Sequence, residues 1–475
     1  MELLSCPPIL ASLLGLPPQL MLFVTLGGIF YLFRRDFRTY PKVSRELWIP
    51  FFWMFIIASR PVSQWLAIFG LTGGFGAAAV EEGSSLDAFV YLTLMALGVV
   101  VLNKRRVSLG QIIAENRWLC LFILYCFLAI FWSDFPLIAA KRWIKILGHP
   151  IMALIILTER DVKEALVRVV RWNAYLLLPI SILWIKYFPS LGRTTEEWGL
   201  MLNRGIADGK NGLGAICVTL GLVFLWYSLQ VLRSEKTKQR RNELLWMGGL
   251  WLMEGYCLRK AHSSTSTITL LLSSAVMLAL GLRFVDKRHI GVYAVAGIVL
   301  FIIAQSLFDV YGSVVNVSGH NATIEGRGRL WAYLFRTSTS PILGAGFESY
   351  WLGPRLQDVW SRPEFWWHPT QAHNGYVEAY INLGLIGLLL LVGLLVVTFT
   401  RCRQALLDDF EWGRFSLCYL LALIVHNWTE AGFKGLSVGF FLFFVIGINY
   451  SAGGRRMSSL SIEGSEEMRE PELVA

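Results

Sequence analysis

Charge is scarce in this chain. Asp, Glu, Lys and Arg make up 16% of its 475 residues, against about a quarter in an average soluble domain, so the chain lacks the groups needed to coat itself against water. Paired cysteines are absent as well. None of the seven cysteines forms a Cys-x-x-Cys, which removes the usual signatures of a zinc site or a disulfide framework. Most of them lie in or beside apolar runs and read as small buried hydrophobes. The first residues have no basic segment and no small-residue cleavage site behind a short apolar stretch, so no cleaved signal peptide is expected. No internal repeat is evident.

What the chain has instead is long apolar runs. Hydrophobic residues make up 55% of it, with 19 Trp, 16 Tyr and 30 Phe, and aromatic rings concentrate where helices cross a membrane surface. A spanning helix needs about 20 mostly apolar residues. Runs of that length or nearly so lie at 20–33, 48–70, 86–102, 118–132, 146–157, 172–188, 212–232, 244–258, 266–282, 290–308, 376–400, 415–426 and 436–450. The expected fold is all-α, a polytopic transmembrane helical bundle of about 12–14 spans with one large external loop. Residues 1–450 read as the transmembrane domain, including external loop 309–374, and 451–475, rich in Ser and Glu, as a disordered cytoplasmic tail.

The net charge of +10 is no sign of a nucleic-acid partner, because basic residues in membrane proteins gather in cytoplasmic loops. Most of the 43 basic residues do fall in alternate loops, including Arg34, Arg35, Lys104, Arg105, Arg168, Arg171, Arg233, Arg240, Arg401 and Arg414. That side is expected to be cytoplasmic. Arg142, Arg204, Lys210, Arg327, Arg329 and Lys434 face the other side, where cations are disfavoured. A cluster of cations there suits an anionic ligand or is neutralised by nearby carboxylates.

The external loop is rich in Trp, and Pro341, Pro354, Pro363 and Pro369 divide it, so short helices over the membrane mouth are expected. At its two ends lie Gly326-Arg327-Gly328-Arg329-Leu330-Trp331 and Ala372-His373-Asn374-Gly375-Tyr376-Val377-Glu378. Guanidinium groups hold phosphate oxygens in a two-pronged fork, and a neutral imidazole takes a proton from a hydroxyl near pH 7. Together they suit transfer of a group from a phosphate-bearing lipid donor. By residue type alone, a lone His is more often structural.

Order and spacing add a resemblance. His373 and Asn374 are followed by Gly384 and Gly387, giving His-Asn-x9-Gly-x-x-Gly, which resembles the signature of the O-antigen ligase and polymerase family. Lys210-Asn211-Gly212-Leu213-Gly214, the Gly-Arg…Trp segment, Trp132-Ser133-Asp134 and Ser263-Ser264-Thr265-Ser266 resemble further elements of that family and its exopolysaccharide-polymerase branch. The resemblance implies a glycosyltransferase that moves or polymerises a glycan from a polyprenyl diphosphate-linked donor. The acceptor is a hydroxyl of a glycan, lipid or protein at the external face of the plasma membrane. No metal or other cofactor is implied, and the chain contains no Asp-x-Asp. The bilayer, and chain-length or export proteins, are the further partners. In this reading His373 accepts or orients the hydroxyl proton, and Arg327 and Arg329 stabilise the leaving diphosphate. Arg204, Lys210 and Arg142 bind that diphosphate, while Asn374 and Glu378 support the centre. Glu378 also reads as an acid favouring a helix N-terminus. The span count places the N-terminus outside, whereas the ligases it resembles keep both termini inside. The rival reading is a membrane transporter of a small anion such as bicarbonate, with polar breaks such as Lys210-Asn211-Gly212 lining its path.

Overall fold

The computed structural model describes residues 17–40, 44–71, 84–195, 201–308, 321–337 and 340–450. The tail expected to be disordered, 451–475, and the start of the long loop, 309–320, lie outside them. All the apolar runs fold as helix. In chain order these are α1 (Pro18–Thr39), α2 (Trp48–Ala58), α3 (Val62–Ile68), α4 (Ser85–Lys104), α5 (Leu109–Glu115), α6 (Arg117–Leu128), α7 (Pro136–Ile146), α8 (Gly148–Leu157) and α9 (Val162–Tyr187). A short antiparallel pair, β1 (Arg193–Thr195) and β2 (Met201–Asn203), sets Arg193 opposite Asn203. Then come α10 (Lys210–Arg233), α11 (Lys238–Ala261), α12 (Ser264–Ala279), α13 (Ile290–Phe308), α14 (Asn321–Thr337), α15 (Gly353–Ser361), α16 (Gly375–Asp408), α17 (Phe410–His426) and α18 (Val438–Gly447).

Polar side chains punctuate the apolar text. Asp161, Thr237, Ser263, Asn374, Asp409 and Ser437 each accept a hydrogen bond from a backbone N–H in the first turn of the helix that follows. Such caps satisfy donors that a helix start leaves unpaired, each worth about 1 kcal/mol. Among the described residues four helices are long and apolar enough to cross a membrane: α4, α9, α10 and α16. The count is up to six if each bent pair is one span, α2 with α3 at 67° and α5 with α6 at 99°. The first bend falls at Ser59-Arg60-Pro61, where proline denies the helix a donor. The second falls at Asn116, whose amide bonds the Ile112 and Asn449 carbonyls.

Large apolar side chains such as Phe89, Leu92 and Val100 point outward from α4. An outer surface this greasy belongs against lipid, and the protein is a membrane-embedded helical bundle. Trp53, Trp172 and Trp226 are fully enclosed within it. One end is tied by ion pairs. Arg171 reaches Asp36 at 2.7 Å and Glu243 at 3.2 Å, and Arg35 meets Glu243 at 2.5 Å. Arg105 pairs with Glu159 and Arg233 with Glu411. These contacts fasten α1, α9 and α11, α4 to the α8–α9 turn, and α10 to α17. At the opposite end lies the long loop, whose described part forms α14, α15 and a 3-10 turn at Pro363–Phe365.

Candidate active site

The His-Asn-x9-Gly-x-x-Gly spacing has a structural account at both ends. Asn374 caps α16, its Oδ1 accepting from the N–H groups of Tyr376 at 2.9 Å and Val377 at 3.0 Å. At the other end α16 breaks at Gly384, with φ of 66°. A Cβ there would lie 2.1 Å from the Ile342 carbonyl oxygen, so only glycine fits. The break exposes backbone groups, and loop residues 341–346 pair with them. Leu385 N–H donates to the Pro341 carbonyl at 2.8 Å, while the N–H groups of Ala345 and Gly346 donate to Ile381 and Asn382, each at 2.9 Å. The motif therefore fixes where the external loop lies on its helix.

His373 itself sits at φ of 50°, a left-handed conformation costly for a residue with a Cβ. Its neighbour Ala372 is held on both sides. The Ala372 N–H donates to Glu378 Oε2 at 2.7 Å, and its carbonyl accepts from the Trp331 indole at 2.8 Å. Glu378 is buried and also accepts from Trp351 at 2.9 Å and Lys434 at 3.2 Å. Its carboxylate positions the backbone before His373 instead of facing solvent.

The central carboxylate is one that the sequence reading missed. Glu430, buried in the turn between α17 and α18, lies 3.6 Å from His373 Nδ1, at ion-pair rather than hydrogen-bond distance. Arg327 Nη2 reaches it at 3.4 Å and Asn211 Nδ2 donates to it at 2.8 Å. Burial pushes the Glu430 carboxyl upward, but the opposing pull of His373 and Arg327 holds it below the usual carboxylate range. The same turn gathers the other motifs. Arg327 Nη1 donates to the Thr429 carbonyl at 2.9 Å, Asn374 to the Trp428 carbonyl at 2.9 Å, and the Thr265 and Thr429 hydroxyls meet at 2.6 Å. Gly214 packs where a Cβ would strike Ser266 Oγ at 2.3 Å, so the Lys-Asn-x-Leu-Gly and serine-rich segments need one another. The only sequence signal for this hub is a solitary Glu in a short polar break between two late apolar runs.

Beside the hub opens a cavity of about 1020 Å³. Its wall carries three cations, Arg142, Lys210 and Lys434, against three carboxylates, Asp208, Glu348 and Glu378. Asn211 and Gln371 also line it and reach the Glu430 carboxylate and, at 3.5 Å, the His373 ring. Arg142 donates to the Glu348 carbonyl. Two expected site residues stand apart. Arg204 is not among the lining residues, and its Nε donates to the Leu191 carbonyl at 3.2 Å. Arg329 is exposed, because two positions on a helix turn a side chain about 200° away from Arg327. Trp132-Ser133-Asp134 docks the loop: Trp132 donates to the Leu343 carbonyl at 3.1 Å, Ser133 meets Ser349 at 2.6 Å and Asp134 pairs with Arg355 at 2.5 Å.

Residues 248–392 match the O-antigen ligase family. The match contains the Arg327 helix, the external loop and the His373 helix start. The matched segment resembles the O-antigen ligase and polymerase family. The chain is also similar to the exopolysaccharide production protein ExoQ of Rhizobium meliloti (strain 1021), 29% identical over 336 residues, which cover 66% of this chain and 71% of that protein. Neither likeness favours the small-anion transporter. Both likenesses support the family resemblance, which implies a lipid-linked glycan donor and an acceptor in the membrane. Among the described residues no group of three or more His, Cys, Asp or Glu could hold a metal ion.

Proposed function

We propose that this protein transfers or polymerises a glycan from a polyprenyl diphosphate-linked donor onto an acceptor hydroxyl, at the external face of the plasma membrane. The observation that carries the reading is the meeting of His373, Glu430 and Arg327 beside a cavity walled by Arg142 and Lys210. In the reaction the acceptor oxygen bonds to the anomeric carbon of the donor glycan, and the bond from that carbon to the diphosphate oxygen breaks. The hydroxyl proton passes to His373. Since Nδ1 faces Glu430, Nε2 is the nitrogen left to take it, and the carboxylate then stabilises the imidazolium that forms, as in a Ser-His-Asp triad. Arg327 stabilises charge gathering on the leaving diphosphate. Lys210 and Arg142 hold the diphosphate in the cavity, and Arg204 reinforces the potential behind them. Asn374 and Glu378 keep His373 in place. The donor carries its own leaving group, so no metal is needed, and chain-length or export proteins act on the product.

Reconstitution tests the reading. Purified protein in liposomes containing a polyprenyl diphosphate-linked oligosaccharide is expected to release polyprenyl diphosphate and give a transferred or lengthened glycan, with no ion gradient imposed. A protein that leaves the donor intact while carrying small anions across the liposome wall contradicts it.

A further inference from the structure

The external loop buries some of its aromatic residues and leaves others open. Tyr350, Trp351 and Phe365 are 3%, 8% and 1% exposed, whereas Trp360, at the end of α15, is 39% exposed. This ring does not hang loose. Its indole N–H donates to the Pro369 carbonyl at 3.1 Å, and its ring lies 5.3 Å from the His368 ring at 56°. His368 is itself set at φ of 45°, a left-handed turn that brings the chain back against α15. The polar edge of the indole is thus used up and its orientation fixed. Leu352, Leu356 and Trp360, spaced four apart, line the cavity that also holds Arg142 and Lys210. Thr370 and Gln371 supply hydroxyl and amide groups to that cavity wall.

We propose that Trp360 is the platform of a sugar subsite, on which the C–H face of a pyranose ring of the bound glycan stacks. A pyranose has one apolar face and a rim of hydroxyls. It is matched by a large flat ring that offers no competing donor, flanked by groups able to bond the rim. Trp351 lines the same cavity with its N–H bonded to Glu378 but is buried, whereas Trp360 is held in that way and left open, in the cavity where the reaction's cations also stand. The identity of the ligand rests on the glycan-transfer reading; the binding test does not.

The measurement is the affinity of full-length protein in nanodiscs for lipid-free, phosphate-free oligosaccharide fragments of the host strain's polysaccharide. Trp360→Ala is expected to weaken binding about tenfold, with Trp360→Phe recovering most of it. Trp366→Ala, equally exposed at 38% but outside the cavity lining, leaves binding unchanged. In the transfer assay, a raised acceptor KM at nearly constant kcat places the acceptor strand on Trp360, and a raised donor KM places the donor glycan there. The proposal is overturned if Trp360→Ala binds within about twofold of wild type, if Phe binds no better than Ala, or if wild type binds no fragment. Tryptophan-dependent binding in a protein that transfers no glycan would retain the subsite and remove the enzymatic reading.

Discussion

The two ends of this bundle use arginine in different proportions, although Arg327 with Glu430 and Arg355 with Asp134 form ion pairs at the loop end as well. At one end guanidinium groups meet carboxylates: Arg171 with Asp36 and Glu243, Arg35 with Glu243, Arg105 with Glu159 and Arg168 with Glu164. Tyr40 and Tyr227 cover the Arg171 charge, 4.7 and 5.7 Å from it. At the other end Arg142, Arg204 and Arg60 donate to the main-chain carbonyls of Glu348 and Leu191. A carbonyl satisfies an N–H without cancelling its charge. The first arrangement locks helices together; the second leaves the Arg142 guanidinium in the cavity wall with no direct carboxylate contact among the described residues, so that an anion can still engage it. Both ends are rich in arginine, and the loop end differs in setting one of them, Arg142, in the wall of a cavity.

The comparison breaks most readily at the fastening. Arg171→Met leaves Asp36, which is fully buried, without its ion-pair partner, and removal of one member of a buried pair costs about 3–5 kcal/mol. Chemical unfolding in detergent is expected to show a loss of that size. The double variant Asp36→Leu/Arg171→Met should lose less, because no orphaned charge remains. A loss under about 1 kcal/mol for the single variant would mean that the network is not fully dry.

The loop-bearing helix gives the next effect. Gly384→Ala meets both a positive φ and the Ile342 carbonyl, so a loss of about 1–3 kcal/mol is expected, with activity falling as the loop lifts. Unchanged unfolding and transfer would show that the break in α16 does not need glycine.

At the cavity the balance reverses. Arg142→Met or Lys210→Met should leave unfolding within about 0.5 kcal/mol of wild type while raising the donor KM about tenfold, as expected for a charge-assisted contact. Equal loss of stability at both ends would mean that the cavity cations fasten helices as Arg171 does. The smallest expected effect is none. Activity should be the same after EDTA treatment, and a loss restored only by Mg²⁺ or Mn²⁺ would require a cation site beyond the residues described.

The sequence made the helices legible because apolar runs and cap residues are local: each run at least 10 residues long has its helix, and Ser263, Asn374 and Asp409 stand where those helices start. The paired motif at His373 and Gly384 was legible as a spacing but not as a cause, since the groups that require Gly384 belong to Ile342 and Leu343. Glu430 was not legible. One carboxylate in a short turn carries no pattern, and its meaning depends on Asn211, Arg327 and His373 arriving from three distant parts of the chain. Arg329 shows the converse limit, because a repeated Gly-Arg suggests two equivalent arginines and the helix turns one of them away. The number of spans was blurred for a similar reason: the break at Arg60-Pro61 bends a run that read as continuous, and the short helix α5 before Asn116 lies outside the runs altogether.

In the proposed reaction His373 is the group that takes the acceptor proton. The deciding measurement is the rate of glycan transfer by purified His373→Ala, alongside His368→Ala from the same loop, with unfolding recorded for both. Loss of a general base lowers the rate by about 10²- to 10⁴-fold. His373→Ala is therefore expected to fall at least about a hundredfold at near wild-type stability, and His368→Ala to fall far less. A His373→Ala protein that keeps more than about a tenth of the wild-type rate would contradict the general-base role and leave Arg327 and the cavity cations as a purely electrostatic site.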